Sequence, residues 1–230
     1  METDPQPASQ GRSWPPPRIR VLIVEDHPVV RRGLCGAIAA EPDMDVCGQT
    51  ADTIEALQLV DSARPQVVVV DLFLKSGHGI DLIEQIKAGH SDAAMLVSSM
   101  QDEAIFAERA LRAGALGYVS KLEPIEHLVD AIRRVARGEV CVSPAIANAL
   151  LQKMVAGEPS DPASVRDLSN RELEVFDMIG HGMSTKQIAK RLDLSPKTID
   201  TYRDSIKKKL NLANANQLSR RAVQWVLEHH

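Results

Sequence analysis

The chain has 230 residues, 44% of them hydrophobic but only 3% aromatic, and a formal net charge of −4. That length suits one large or two modest domains with an aliphatic core. No apolar stretch reaches the about 20 residues needed to cross a bilayer. No apolar signal-like region follows Met1, and Cys35, Cys47 and Cys141 are too scattered for a disulfide framework or a zinc site. A cytoplasmic protein with reduced thiols is expected.

Charge is unevenly spread. Residues 1–165 hold 15 Lys and Arg against 23 Asp and Glu, a balance of −8; residues 166–230 hold 12 against 8, a balance of +4. An acidic first part joined to a basic second part fits a regulatory module tethered to a nucleic-acid module.

Residues 1–18 are rich in Pro, Gln and Ser and read as a disordered arm. From 19 onward strand and helix patterns alternate. Short β-branched runs predict strands at 20–25, 45–49, 66–71, 94–99 and 116–119. Amphipathic stretches predict helices at about 28–40, 53–63, 79–88, 102–113 and 125–137. Five βα units with right-handed crossovers give an α/β fold, a flavodoxin-like doubly wound parallel sheet, with expected strand order 2-1-3-4-5. The first domain is set at 19–140. The segment 141–165 is then a linker with a short helix at Pro144–Met154, and Gly157 to Ser164 supplies its breaker residues. Residues 166–230 form a small all-α domain of four helices. Their starts are marked by the capping boxes Ser169-Asn170-Arg171-Glu172 and Ser184-Thr185-Lys186-Gln187, by Ser195-Pro196, and by Asn214. The tight joint Asp193-Leu194-Ser195 has helix-turn-helix spacing.

Chemistry concentrates at the strand ends. Glu25-Asp26 ends the first strand and Asp71 the third. In such a sheet, sites form beyond the carboxyl ends of the strands. Three converging carboxylates repel unless a cation or a proton compensates, so a hard-metal site is expected, with Mg²⁺ the natural occupant of carboxylates plus phosphate oxygens. An aspartate beside such a metal is a possible phosphoryl-accepting nucleophile. Lys121 follows the last strand, and Ser98-Ser99 end the fourth with hydroxyls.

The set Val24-Glu25-Asp26-His27-Pro28, Val70-Asp71-Leu72, Ser99-Met100 and Gly114 to Lys121 resembles the receiver domain of bacterial two-component response regulators, over about residues 19–137. The resemblance implies that Asp71 is the phosphoacceptor, fed by a sensor histidine kinase. It implies Mg²⁺ held by Asp26, Asp71 and the backbone carbonyl of Phe73, with Glu25 in the outer shell. Ser99 becomes the hydroxyl that moves toward phosphate, Ser98 being the lesser alternative. Tyr118 becomes the coupled switch and Lys121 the phosphate-binding cation. His27 reads as a loop residue. Lys75 departs from the pattern, standing where the family often has proline, so the loop lacks that residue's fixed φ.

Residues 166–230, through Leu168 to Val175, Gly182 to Ala189, Leu194 to Arg203 and Ile206 to Leu210, resemble a LuxR-type DNA-binding domain. The whole chain is thus similar to NarL/FixJ-family response regulators, with Tyr202 replacing a common histidine. The resemblance places Asp200, Thr201 and Asp204 toward bases, and makes Lys197, Thr198, Arg203 and Lys207 candidate phosphate contacts. Ile199, Ile206 and Leu210 form the buried stripe of that helix. The last helix, with Leu218, Ala222, Val223 and Val226, is divided between covering the core and a homodimer contact on double-stranded DNA.

Three rival functions fit parts of the pattern. An aspartate-nucleophile phosphatase needs a second aspartate two residues after the first, where Phe73 stands. A ligand-sensing LuxR-type regulator needs an aromatic pocket and no carboxylate cluster. A phosphorylation-independent receiver is the alternative that the intact acidic set argues against. A regulator rather than an enzyme is therefore expected.

Overall fold

The computed structural model describes residues 18–89, 92–101, 103–156 and 165–229. Most of the expected arm and the breaker residues 157–164 of the expected linker lie outside these residues.

The first unit is a parallel sheet. Its strands are β1 (Ile19–Val24), β2 (Met44–Thr50), β3 (Val67–Val70), β6 (Ala94–Ser99) and β7 (Gly117–Ser120), in the order β2-β1-β3-β6-β7. Counting only these long strands, the order is the expected 2-1-3-4-5. The four valines of β3 are all buried, because helices cover both faces of the sheet. Those helices are α1 (Pro28–Ala39), α2 (Thr53–Ala63), α3 (Gly79–Ala88), α4 (Glu103–Ala113) and α5 (Ile125–Ala136). Two apolar clusters result, one on each side of the sheet. Leu34, Ile38, Leu128 and Ile132 lie in one; Ile83, Ile86, Phe106 and Ala110 lie in the other.

One element was not expected. Between β3 and α3, β4 (Phe73–Leu74) and β5 (Gly77–His78) pair as a small antiparallel hairpin. Two residues per strand are too few to show a period. The sheet also extends past its last long strand. Cys141 bridges to Gly117, with Tyr118 N donating to Cys141 O at 2.9 Å and Cys141 N donating to Leu116 O at 2.8 Å. Cys141, the first residue assigned to the linker, is thus still tied to the sheet edge. Helix α6 (Pro144–Ala156) follows and packs on α4.

The second unit is helical. After a 3₁₀ turn at Val165–Asp167 come α7 (Asn170–Gly180), α8 (Thr185–Arg191), α9 (Pro196–Lys209) and α10 (Ala215–His229). Each begins where a cap was expected. Ser169 with Glu172, and Ser184 with Gln187, complete full capping boxes. Ser195 accepts from Thr198 N ahead of Pro196, and Asn214 accepts from Gln217 N. Ile199, Ile206 and Leu210 of α9 are buried, as the stripe required. On α10 the buried set is Leu218, Ala222 and Trp225, while Val223 is exposed. The three cysteines are free thiols, each half-buried.

Candidate functional site

The carboxyl ends of β1 and β3 bring the acidic residues together. Asp71 N donates to Val24 O at 2.9 Å, locking the two strand ends side by side. Glu25, Asp26 and Asp71 are all buried. One carboxylate oxygen from each and a ring nitrogen of His27 lie within 4.8 Å of one another. Lys121 Nζ sits 2.6 Å from Glu25 Oε2 and 2.7 Å from Asp71 Oδ2, with a side chain only 8% exposed. Lys121 is steered there by its own backbone, whose N–H donates to Ser99 O at 2.9 Å.

The electrostatics follow from that crowding. Burial pushes the Asp71 carboxyl up, and the Glu25 charge adds to the push; the Lys121 ammonium and a hydrogen bond with Ser99 oppose it. The cluster therefore has surplus negative charge shut away from water, which is the condition under which a divalent cation binds carboxylate oxygens. Asp26 Oδ1 is buried and without a hydrogen bond, although His27 Nδ1 lies 2.7 Å from it. These oxygens fit a hard cation.

Ser99 lines the same cavity as Asp26, Asp71 and Lys121, whereas Ser98 lines a separate groove between α1 and α5. Phe73 lines the Asp71 cavity, and its ring packs edge-on against Phe106 and His78. Tyr118 is buried, and its hydroxyl donates to Gln101 O at 2.9 Å. Lys75 is exposed at the cavity rim. His27, read as a loop residue, is 69% exposed yet reaches both Glu25 and Asp26.

His78 was missed. Its Nδ1 accepts from Ile80 N at 3.2 Å, capping α3. Burial, together with Arg171 and Arg109 nearby, pushes its pKa down to about 3, so the ring is neutral. A histidine before an apolar helix gave no signal beyond its position.

Comparison with known proteins adds a family to this geometry. Residues 21–133 match the response regulator receiver domain, and residues 166–222 match the bacterial regulatory proteins of the luxR family. The oxygen regulatory protein NreC of Staphylococcus carnosus is 33% identical over 211 residues, 90% of this chain and 97% of its own length. The chain is a response regulator with a receiver and a LuxR-type DNA-binding domain. Solved response regulators share the fold. RcsB from Salmonella enterica serovar Typhimurium, bound to promoter rprA in the presence of phosphomimetic BeF3-, is 26% identical. That match has a TM-score of 0.56 and covers 88% of this chain and 97% of that one. A structure of two RcsB dimers bound to two parallel DNAs is 25% identical with a TM-score of 0.53, covering 92% and 98%.

In this response regulator the LuxR-type helix α9 presents Lys197, Asp200, Thr201 and Asp204 to solvent, with Thr198, Arg203 and Lys207 half-buried. Several are already engaged. Lys207 Nζ pairs with Asp204 at 2.9 Å, which holds the Asp204 carboxyl below its usual range. Thr198 contributes to the α9 cap with Ser195, and Asp200 accepts from Thr185 Oγ1 at 3.4 Å. Glu172 was expected only as a cap. It also receives Lys209 Nζ at 2.7 Å and Ser205 Oγ at 2.6 Å, so it ties α7 to α9. Among the described residues, no helix is long and apolar enough to cross a membrane.

Proposed function

We propose that the protein is a transcription regulator controlled by Mg²⁺-dependent phosphorylation of Asp71, with the phosphoryl group donated by a sensor histidine kinase. The observation that carries this is Lys121 bridging Glu25 and Asp71 inside a buried acidic cluster. An Asp71 carboxylate oxygen attacks phosphorus and forms the acyl-phosphate bond while the bond to the donor's imidazole nitrogen breaks. Asp26, Asp71 and the Phe73 carbonyl would hold Mg²⁺, with Glu25 in the outer shell, and the ion would neutralise charge on the transferring oxygens. Lys121 moves its ammonium onto a phosphoryl oxygen, and the Ser99 hydroxyl donates to another. Tyr118, whose hydroxyl is on Gln101 O, reports that shift to the α4 surface.

The domain boundaries 19–140, 141–165 and 166–230 belong to the same proposal. So does a cytoplasmic location, where kinase and DNA are both met. The output is binding to double-stranded promoter DNA by α9, with Asp200, Thr201 and Asp204 toward the bases and Lys197, Thr198, Arg203 and Lys207 toward phosphates. A homodimer completes an inverted-repeat site, and the RcsB dimers on DNA support that assembly.

The test is labelling with a small acyl phosphate and Mg²⁺, read by intact-mass spectrometry. One phosphoryl group per chain is expected. Equal labelling of Asp71→Asn, or none without that substitution, refutes the assignment.

A further inference from the structure

Two histidines stand at the N-cap position of receiver helices, and they use Nδ1 differently. His78 Nδ1 accepts from Ile80 N at 3.2 Å and caps α3. His27 precedes α1 in an extended conformation, as the proline after it requires, and its side chain makes no cap hydrogen bond. Its backbone is held on both sides. Glu25 Oε1 accepts from His27 N at 2.9 Å, and His27 O accepts from Arg31 N at 2.9 Å. The ring then puts Nδ1 2.7 Å from Asp26 Oδ1 and 3.3 Å from Glu25 Oε1. Asp26 Oδ1 is nonetheless buried without a hydrogen bond. Lys121 pairs with Glu25 Oε2 and Asp71 Oδ2, so the group facing Asp26 Oδ1 is an imidazole nitrogen rather than the ammonium.

We propose that His27 Nδ1 is a metal ligand, and that it suits the Asp26–Asp71 site to a first-row transition ion as well as to Mg²⁺; this rests on the acidic set being the cation site of phosphorylation. A ring nitrogen and a carboxylate oxygen 2.7 Å apart with no hydrogen bond between them set one lone pair against another. A shared cation turns that repulsion into attraction. Adjacent ligands of an octahedral ion, each about 2.1 Å from it, lie about 3 Å apart, close to the spacing already present. The His27 side chain is 69% exposed, so water is available to accept from Nε2–H, which leaves the Nδ1 lone pair free for a metal. Such a ligand discriminates between ions. Mg²⁺ prefers oxygen donors and keeps several waters, so it gains little from the ring. Transition ions bind imidazole more strongly, in rising order from Mn²⁺ through Co²⁺. His27 therefore makes loading of the site depend on the ratio of the two kinds of ion rather than on Mg²⁺ alone.

The test loads the full chain with Mn²⁺ alone and reads it by electron paramagnetic resonance. Loss of the free-ion signal gives the affinity, and pulsed spectra of the bound ion show whether a nitrogen is coordinated. Co²⁺ and Mg²⁺ are then titrated as competitors, so that only ions displacing Mn²⁺ from this site are counted and the chain's other histidines do not contribute. His27→Ala is a safe variant, since the side chain is exposed and caps nothing. Unsubstituted protein should show nitrogen modulation on bound Mn²⁺, and His27→Ala should lose it. The variant should bind Co²⁺ at least about tenfold more weakly, the low end for removing even an outer partner of a metal site, while its Mg²⁺ affinity stays within about twofold. Bound Mn²⁺ without nitrogen modulation, modulation that survives His27→Ala, or Co²⁺ and Mg²⁺ affinities that fall together overturn His27 as a ligand. Mn²⁺ that does not bind, or that Asp71→Asn binds as tightly as the unsubstituted chain, overturns the acidic set as the cation site as well.

Discussion

Glu172→Gln tests how α9 is held against α7. Burial pushes the Glu172 carboxyl up, but hydrogen bonds from Lys209, Ser205 and Ser169 outweigh it and hold the group down at about 2, against an ordinary 4.5. That difference corresponds to about 3 kcal/mol. Lys209 is 39% exposed and partly screened, which reduces the contribution to about 2 kcal/mol. Glutamine keeps one acceptor oxygen for Ser169 N and presents its amide N–H to Ser205 Oγ, which can accept, but loses the charge. Because the folded pKa is depressed, the contribution is complete above pH 4.5 and is lost as pH falls toward 2. Urea unfolding followed by circular dichroism should therefore put the variant about 2 kcal/mol below the unsubstituted chain at pH 7. The gap should persist at pH 5 and close by pH 2.5. A gap of the same size at pH 2.5, or none at pH 7, would refute the reasoning. DNA affinity should fall as well, since the pair anchors the carboxyl end of α9 to α7.

Asp71→Asn should raise stability by about 1 kcal/mol in the absence of divalent cations, because it removes a carboxylate whose charged form burial disfavours. The same variant should lose any increase in melting temperature on adding Mg²⁺, as scanning calorimetry would show. Gly79→Ala should cost about 3 kcal/mol. Its Cβ would lie 2.1 Å from Asp71 O and 2.8 Å from Leu72 Cα, both backbone atoms that cannot step aside. Gly33→Ala, with nothing within 4 Å, is the control and should be neutral or slightly stabilising in thermal melts. Lys197→Ala should lower the slope of log affinity against log salt by about 1 for DNA of any sequence. An unchanged slope in filter binding would remove Lys197 from the phosphate contacts.

Much of the scaffold was legible because it is written in local patterns. The buried strands appear as β-branched runs such as Val67–Val70, and the helix starts as Ser169, Ser184 and Ser195 with their partners three residues on. The Asp26, Asp71 and Lys121 set was legible because strand ends converge in this topology. What stayed hidden depends on residues far apart in sequence. Arg109 meets Leu168 across 59 positions, and no period announces such a bond. Glu174 reads as an ordinary polar residue of an amphipathic helix, yet α7 buries every residue from Glu172 to Ile179. A helix enclosed on that many sides has no polar face to recognise. Trp225 was passed over on α10 for the same reason, since its burial is set by Phe176 and by the receiver's helices.

The loop after Asp71 shows how a missing local constraint is replaced by a tertiary one. Proline would fix one φ angle there; Lys75 fixes none. The chain instead closes the hairpin of Phe73–Leu74 on Gly77–His78. Thr53 N donates to Ser76 Oγ at 2.9 Å, tying the turn to the start of α2, and Gly79 N donates to Leu72 O at 2.7 Å. His78 then caps α3 from inside, between Phe73 and Phe106. These bonds tie the segment 72–80 that follows Asp71 to α2 and to the start of α3, so tertiary packing sets the loop's geometry. The absence of a methyl group at Gly79 is what lets the backbone of α3 lie against Asp71 O at all. Lys75 itself stands exposed at the cavity rim.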